Sequence, residues 1–208
     1  MRAREITGAA LLALGGLQLL VIEAITASAW VDPAYSYLSY YLSDLAVPTC
    51  GPVAGREVCS PLHEVFSGSL VAEGVLFATA AVLLARSRIR PWLIALAAAH
   101  GLGMLVVAFV PETAQGASAV HVVGTATAVF AADALVIVVG ATARAAPRWY
   151  RRVSVALGAI GFVSAPGIEG PAAVAGLAER IAAYAWIVWG LVTAIALIAS
   201  AHRRVTAE

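Results

Sequence analysis

Long apolar runs constrain this chain more than any other feature. A helix needs about 20 residues to cross the roughly 30 Å hydrocarbon core of a bilayer. Runs over 6–29, 63–85, 91–110, 118–143 and 176–201 meet that length, and a weaker one over 153–168 is interrupted by Pro166 and Gly167. The expected fold is therefore all-α, a single transmembrane domain over 1–208 built as an integral membrane bundle of six helices. The first run exceeds the apolar region of a cleaved signal peptide, about 7–15 residues, and holds Glu23, so it reads as a span. Composition agrees: 62% of residues are hydrophobic and 12% charged, where soluble domains carry about half and a quarter.

The basic residues give the orientation. All 13 are arginine, and short cytoplasmic loops retain basic residues. Arg2 and Arg4 precede the first span; Arg86, Arg88 and Arg90 join the second and third. Arg144, Arg148, Arg151 and Arg152 join the fourth and fifth, and Arg203 and Arg204 follow the sixth. Only Arg56 and Arg180 fall toward the other face, so both termini are expected in the cytoplasm of a multi-pass plasma-membrane protein. The absence of lysine excludes Schiff-base cofactor chemistry, a phosphate loop ending in Lys and a Ser-Lys nucleophile pair. A formal net charge of +1 argues against a nucleic-acid partner.

The largest outer segment, 30–62, contains the only two cysteines, Cys50 and Cys59. Facing an oxidising compartment, they are expected to form a disulfide rather than a metal site. Ahead of them Tyr35, Tyr37, Tyr40 and Tyr41 follow Trp30. This aromatic run reads as an interfacial belt, with a lid over a lateral entrance for an amphiphile as the alternative. Small residues should mediate helix packing: Gly124, Ala128 and Ala132 on span four, Ala97 and Gly101 on span three.

Ionisable groups within spans cost at least about 2 to 3.5 kcal/mol each on insertion scales, so each needs a partner, a held proton or a function. Glu23, Glu73, His100 and Asp133 form this polar interior. His100 could pair with Glu73 or with Asp133, and the two carboxylates could equally serve a proton or ligand. A second set lies at the outer ends of alternate spans: Ser43 and Asp44, His63 and Glu64, His121, then Glu179 and Arg180, with Glu112 just ahead of span four. One reading has His63, His121 and an acid hold a metal, zinc foremost, as an intramembrane hydrolase, although no zinc-ligand spacing such as His-Glu-x-x-His is present. Another has Arg180 and the histidines hold the headgroup of an amphiphile. In the plainest, Glu179 or Asp44 pairs with Arg180 and the histidines cap helices. Neither a Gly-x-Ser-x-Gly elbow nor a dinucleotide fingerprint occurs, so nucleotide partners are not expected.

Tyr37-Leu38-Ser39 with Leu42-Ser43-Asp44-Leu45 after span one, His121 opening span four after Val110-Pro111, and Glu179-Arg180 in the last span resemble a family of six-span bacterial and archaeal membrane proteins, domain of unknown function 998. Ser43-Asp44, Pro61 with Glu64 and Phe66, and His121 are more distantly similar to the six-span DRAM-like family, which implies lipid handling; the Cys50 to Cys59 insertion departs from that pattern. The leading expectation is a non-enzymatic or unassigned membrane protein without cofactor that binds membrane lipid or a small amphiphile at an outward-facing polar site. Ser43, Asp44, His63, Glu64, His121, Glu179 and Arg180 would line that site. The alternatives are a metal-dependent lipid hydrolase, a proton-coupled transporter relaying through Glu73 and Asp133, and a homo-oligomer or accessory subunit of a membrane complex.

Overall fold

A computed structural model describes residues 3–85, 90–169 and 171–205. Its helices are α1 (Ala3–Ser28), α2 (His63–Leu84), α3 (Arg90–Phe109), α4 (Ala119–Thr142), α5 (Arg148–Ser164) and α6 (Ala172–Val205). Each packs against the next in chain order, and α6 returns to α1, closing a ring. Five of the six, all but α5, are long and apolar enough to cross a membrane. Their outward faces are apolar as well: Leu14 and Val21 on α1, Val75 on α2, Leu102 on α3 and Ile195 on α6 are all more than half exposed. A helix apolar on its outer face as well as its inner one belongs in a non-aqueous surround.

The departure from the expected spans is at α5. It starts at Arg148 rather than near residue 153, stays α-helical for 17 residues, about 25 Å at 1.5 Å per residue, and ends at Ser164. Pro166 has no N–H to donate back into the helical ladder, and with Ala165 still in the right-handed region, φ −54° and ψ −41°, the chain passes it in a 3-10 turn over Ala165–Glu169. The interruption is thus a real end to the α-helix. The last helix begins at Ala172 rather than 176, directly after Pro171, a residue suited to a helix start. Ser118 caps α4 by accepting the backbone N–H of His121 at 3.1 Å.

Contact between helices rests on small residues, which let the backbones approach closely. Gly74 of α2 meets Gly101 of α3, and a Cβ on Gly103 of α3 would lie 2.5 Å from the backbone nitrogen of Ala128 on α4. Arginines close the end of the bundle opposite the 30–62 segment. Arg4 donates to the Leu83 carbonyl at 2.9 Å and Arg151 to the Gly140 carbonyl at 3.2 Å, satisfying carbonyls that the last turns of α2 and α4 leave unpaired. Arg2, Arg86 and Arg88 lie outside the described residues.

The other end, called here the loop end, carries a small hairpin of β1 (Gly51–Val53) and β2 (Arg56–Val58), paired antiparallel with Pro52 opposite Glu57. Its two-residue turn places both Ala54 and Gly55 in the left-handed region, φ 47° and 81°, the twist that a tight hairpin requires. A disulfide between Cys50 and Cys59 clasps the base of the hairpin.

Candidate functional site

Arg180 lies one helical turn after Gly176 on α6 and is almost completely buried. Its Nε donates to Glu23 of α1 at 2.8 Å, and Nη1 donates to the backbone carbonyls of Tyr37 and Tyr40 at 3.0 and 2.8 Å and of Gly176 at 3.0 Å. Nη2 donates to the Tyr35 hydroxyl, which in turn donates to the Tyr41 carbonyl at 2.8 Å. The other Glu23 oxygen accepts from Tyr184 at 2.5 Å. Tyr37 and Tyr35 place their rings 5.0 and 5.3 Å from the guanidinium carbon, within reach of the π-face attraction for a cation. Burial raises the Tyr35 pKa in spite of the adjacent guanidinium, which lowers it; the neutral phenol is the form that can accept and donate at once.

The aromatic segment 35–41 is therefore pinned down through its carbonyls. Gly176 has to be glycine, because a Cβ there would sit on the Tyr40 carbonyl oxygen. The Leu177 N–H then donates to the Leu38 carbonyl at 2.9 Å. Tyr35 and Tyr40 pack on Trp30 with ring centroids 4.9 and 5.0 Å away.

A second arginine centre faces a cavity. Arg56 on β2 donates through Nε and Nη2 to the two carboxylate oxygens of Asp44, at 3.3 and 2.9 Å, and through Nη2 to Glu112 at 3.1 Å. Its guanidinium lies 4.3 Å above the Tyr41 ring. Asp44 also accepts the backbone N–H of Tyr41 at 2.8 Å. Burial raises the pKa of Asp44 and of Glu112, with Arg56 pulling both back. Burial also works against the charge of Arg56, but its bonds to Asp44 and the field of that carboxylate outweigh this and leave its pKa raised.

Beside this centre lies a cavity of about 490 Å³. Arg56, Ser43, Glu112, His121 and Glu179 face into its loop end, while Val122, Ala126, Val129 and Phe130 of α4 form an apolar wall. From His121 to Phe130 that wall runs about 14 Å at the helical rise. The early end of α5 makes the opposite wall: Ala165, Pro166 and Ile168 of the 3-10 turn line it. His121 Nδ1 bonds the Val110 carbonyl at 2.6 Å, and its Nε2 lies 3.9 Å from Glu112. Glu179 accepts the Leu42 backbone N–H.

The residues singled out from sequence fall into separate groups. Ser43, His121 and Glu179 meet at the cavity, with Asp44 behind Arg56. Arg180 turns away from it to Glu23, so neither Asp44 nor Glu179 is its hydrogen-bonded carboxylate. His63 bonds the Ser60 carbonyl at 3.1 Å, Glu64 is exposed, and neither lines the cavity. In the interior His100 pairs with Glu73, Nε2 to carboxylate at 2.8 Å, while its Nδ1 faces the Ala128 carbonyl at 2.8 Å. Asp133 is buried against Gly161, and neither of its oxygens has a hydrogen-bond partner. Among the described residues no three His, Cys, Asp or Glu side chains gather in a metal-holding group. Arg56 is the site residue that sequence reasoning left out, while Glu112 was placed beside the outer set without being assigned to the lining. The available signal was that only two arginines lie at the loop end, and a buried cation needs a carboxylate near it.

Fold and cavity together define a helical-bundle protein with membrane-like outer faces and a charged recess at one end. The chain belongs to the family of proteins of unknown function designated DUF998, which matches residues 13–196. No curated protein and no solved structure matches it.

Proposed function

We propose that this protein binds a membrane lipid or other small amphiphile in the cavity below the hairpin. The observation that carries the reading is the division of one cavity into a charged end, with Arg56, Glu112, His121 and Glu179, and an apolar wall along α4. Ligand sites of this size are mostly apolar, with a few polar groups to set orientation. Val122, on that wall, is 42% exposed, so the recess reaches the outer face of the bundle, where a lipid could enter sideways. Of the residues expected at this site, the geometry favours Ser43, His121 and Glu179; Arg180 serves as a brace.

The same reading takes all six helices as spans. The 17 residues of α5 and the five of the 3-10 turn cover about 35 Å at about 1.5 and 2.0 Å per residue, enough for a roughly 30 Å core. The arginines that cap α2 and α4 opposite the loop end support cytoplasmic termini and an outward-facing cavity in the plasma membrane.

Native mass spectrometry of protein extracted in mild detergent tests the proposal. Retained lipid is expected on the wild type and is lost from Ala126→Trp, which sets an indole from α4 into the cavity. Equal retention by a folded Ala126→Trp variant would overturn it.

A further inference from the structure

We infer that the headgroup this cavity takes is a protonated amine, an ammonium carrying an apolar tail. The inference rests on the amphiphile reading above and adds the chemistry of the head. Three carboxylates, Asp44, Glu112 and Glu179, stand at or directly behind the charged end, against one guanidinium, Arg56. Carboxylates thus outnumber guanidinium groups at this end of the cavity. Arg56 gives Nε and Nη2 to Asp44 and Glu112, so its single charge is already set against two carboxylates, and only Nη1 remains for a ligand.

Hydrogen-bonding capacity points the same way. His121 is 3% exposed and lines the cavity. Its Nδ1 faces a carbonyl, which only accepts, so Nδ1 carries the proton and the neutral ring turns a lone pair on Nε2 outward. That Nε2 is 3.9 Å from Glu112 Oε1, too far for a direct hydrogen bond. The Thr125 hydroxyl on the same wall has no hydrogen-bond partner. The cavity therefore presents carboxylate oxygens and a ring nitrogen as acceptors, with a hydroxyl that can accept or donate. An ammonium supplies three N–H donors and a positive charge. A phosphate or carboxylate head supplies no donors when fully ionised and would meet surplus negative charge, which costs affinity as a like-charge contact does.

Dodecylamine, dodecyl phosphate, dodecyl maltoside and tail-less ethanolamine, each titrated onto the intact protein and read by native mass spectrometry, separate these possibilities. Binding to Ala126→Trp is subtracted as adhesion to the detergent belt. Dodecylamine is expected to bind at least about tenfold more tightly than dodecyl phosphate, a preference of the size that one half-buried charge contact supplies. Glu179→Gln and Glu112→Gln are each expected to reduce that preference, with thermal unfolding confirming that the variants fold. Should one variant fail to fold, the other and the probe series still decide. Equal binding of all three tailed probes, abolished by Ala126→Trp, would overturn the amine head and leave the amphiphile reading standing. Preference for dodecyl phosphate would do the same. Ethanolamine binding as tightly as dodecylamine would keep the ammonium and overturn the amphiphile. If no tailed probe depends on the cavity, both fall.

Discussion

The two arginines at the loop end do opposite work with similar partners. Arg180 has all three nitrogens donating, to a carboxylate, three carbonyls and a phenol, and its surroundings are closed. Arg56 shares two carboxylates, keeps 16% of its side chain exposed and borders a cavity. The first arrangement ties α1, α6 and the 35–41 segment together. The second holds a hairpin over an opening. Burial of a charge alone therefore does not mark a ligand site; what sets Arg56 apart from Arg180 is the cavity beside it.

The sharpest way to break this contrast is Arg180→Met. It leaves Glu23 buried with only Tyr184 donating to it, and removal of one member of a buried pair typically costs about 3–5 kcal/mol. Unfolding in a mixed-micelle denaturant titration should show a loss of that size, partly recovered by adding Glu23→Gln. A loss within about 1 kcal/mol, the range of an exposed ion pair, would mean that Arg180 is no brace. Arg56→Met should cost less, about 2–3 kcal/mol, since Asp44 and Glu112 lose their guanidinium while buried but the arginine itself keeps partial contact with solvent. It should also strengthen dodecylamine binding by removing the one guanidinium at the cavity; weaker binding would assign Arg56 to the headgroup instead.

How much of this was legible in the chain follows from what sequence encodes locally. Hydropathy marked the long apolar helices, because each residue carries its own share of that signal, and five of them follow within a few residues of those runs. Pro166 marked the end of α5 for an equally local reason. The small residues of spans three and four also lie at helix contacts. Partner choice was not legible. Glu23 and Arg180 are 157 residues apart, and nothing in spacing selects Glu23 over Asp44 or Glu179, since that choice depends on which helices close the ring. The tyrosine run read as a belt or a lid because composition shows the rings; the contacts that fix the segment are the carbonyls of Tyr37 and Tyr40, which every residue possesses.

A smaller effect should come from the clasp. Cys50→Ser with Cys59→Ser opens a short loop, for which chain entropy gives about 2.5 kcal/mol at most. Because the hairpin holds Arg56 and touches the bundle at one end, the effect should be local. Hydrogen exchange should speed up at β1 and β2 and remain unchanged around Arg180. Equal loosening of both centres would show that they form one cooperative unit, contrary to the division drawn between them.

The least disruptive probe is pH, and its sign follows from burial. Desolvation raises the pKa of Glu112 above its ordinary 4.5 and that of Asp44 above 3.8, in each case against the pull of Arg56. A carboxyl whose pKa is higher folded than unfolded binds its proton more tightly in the folded state. Its stabilising contribution is complete below the ordinary value and is lost as pH rises through the folded one. The wild type should therefore lose stability as pH climbs from 4.5 toward neutrality, a decline superimposed on whatever the other groups contribute. Glu112→Gln keeps a hydrogen-bond acceptor for Arg56 and removes the titration, so the wild-type minus variant difference isolates this one group. A difference that falls with rising pH fits a carboxylate held at a desolvated cavity edge. One that rises would mean that Arg56 outweighs burial and holds Glu112 ionised, making the Arg56 centre a second brace like Arg180.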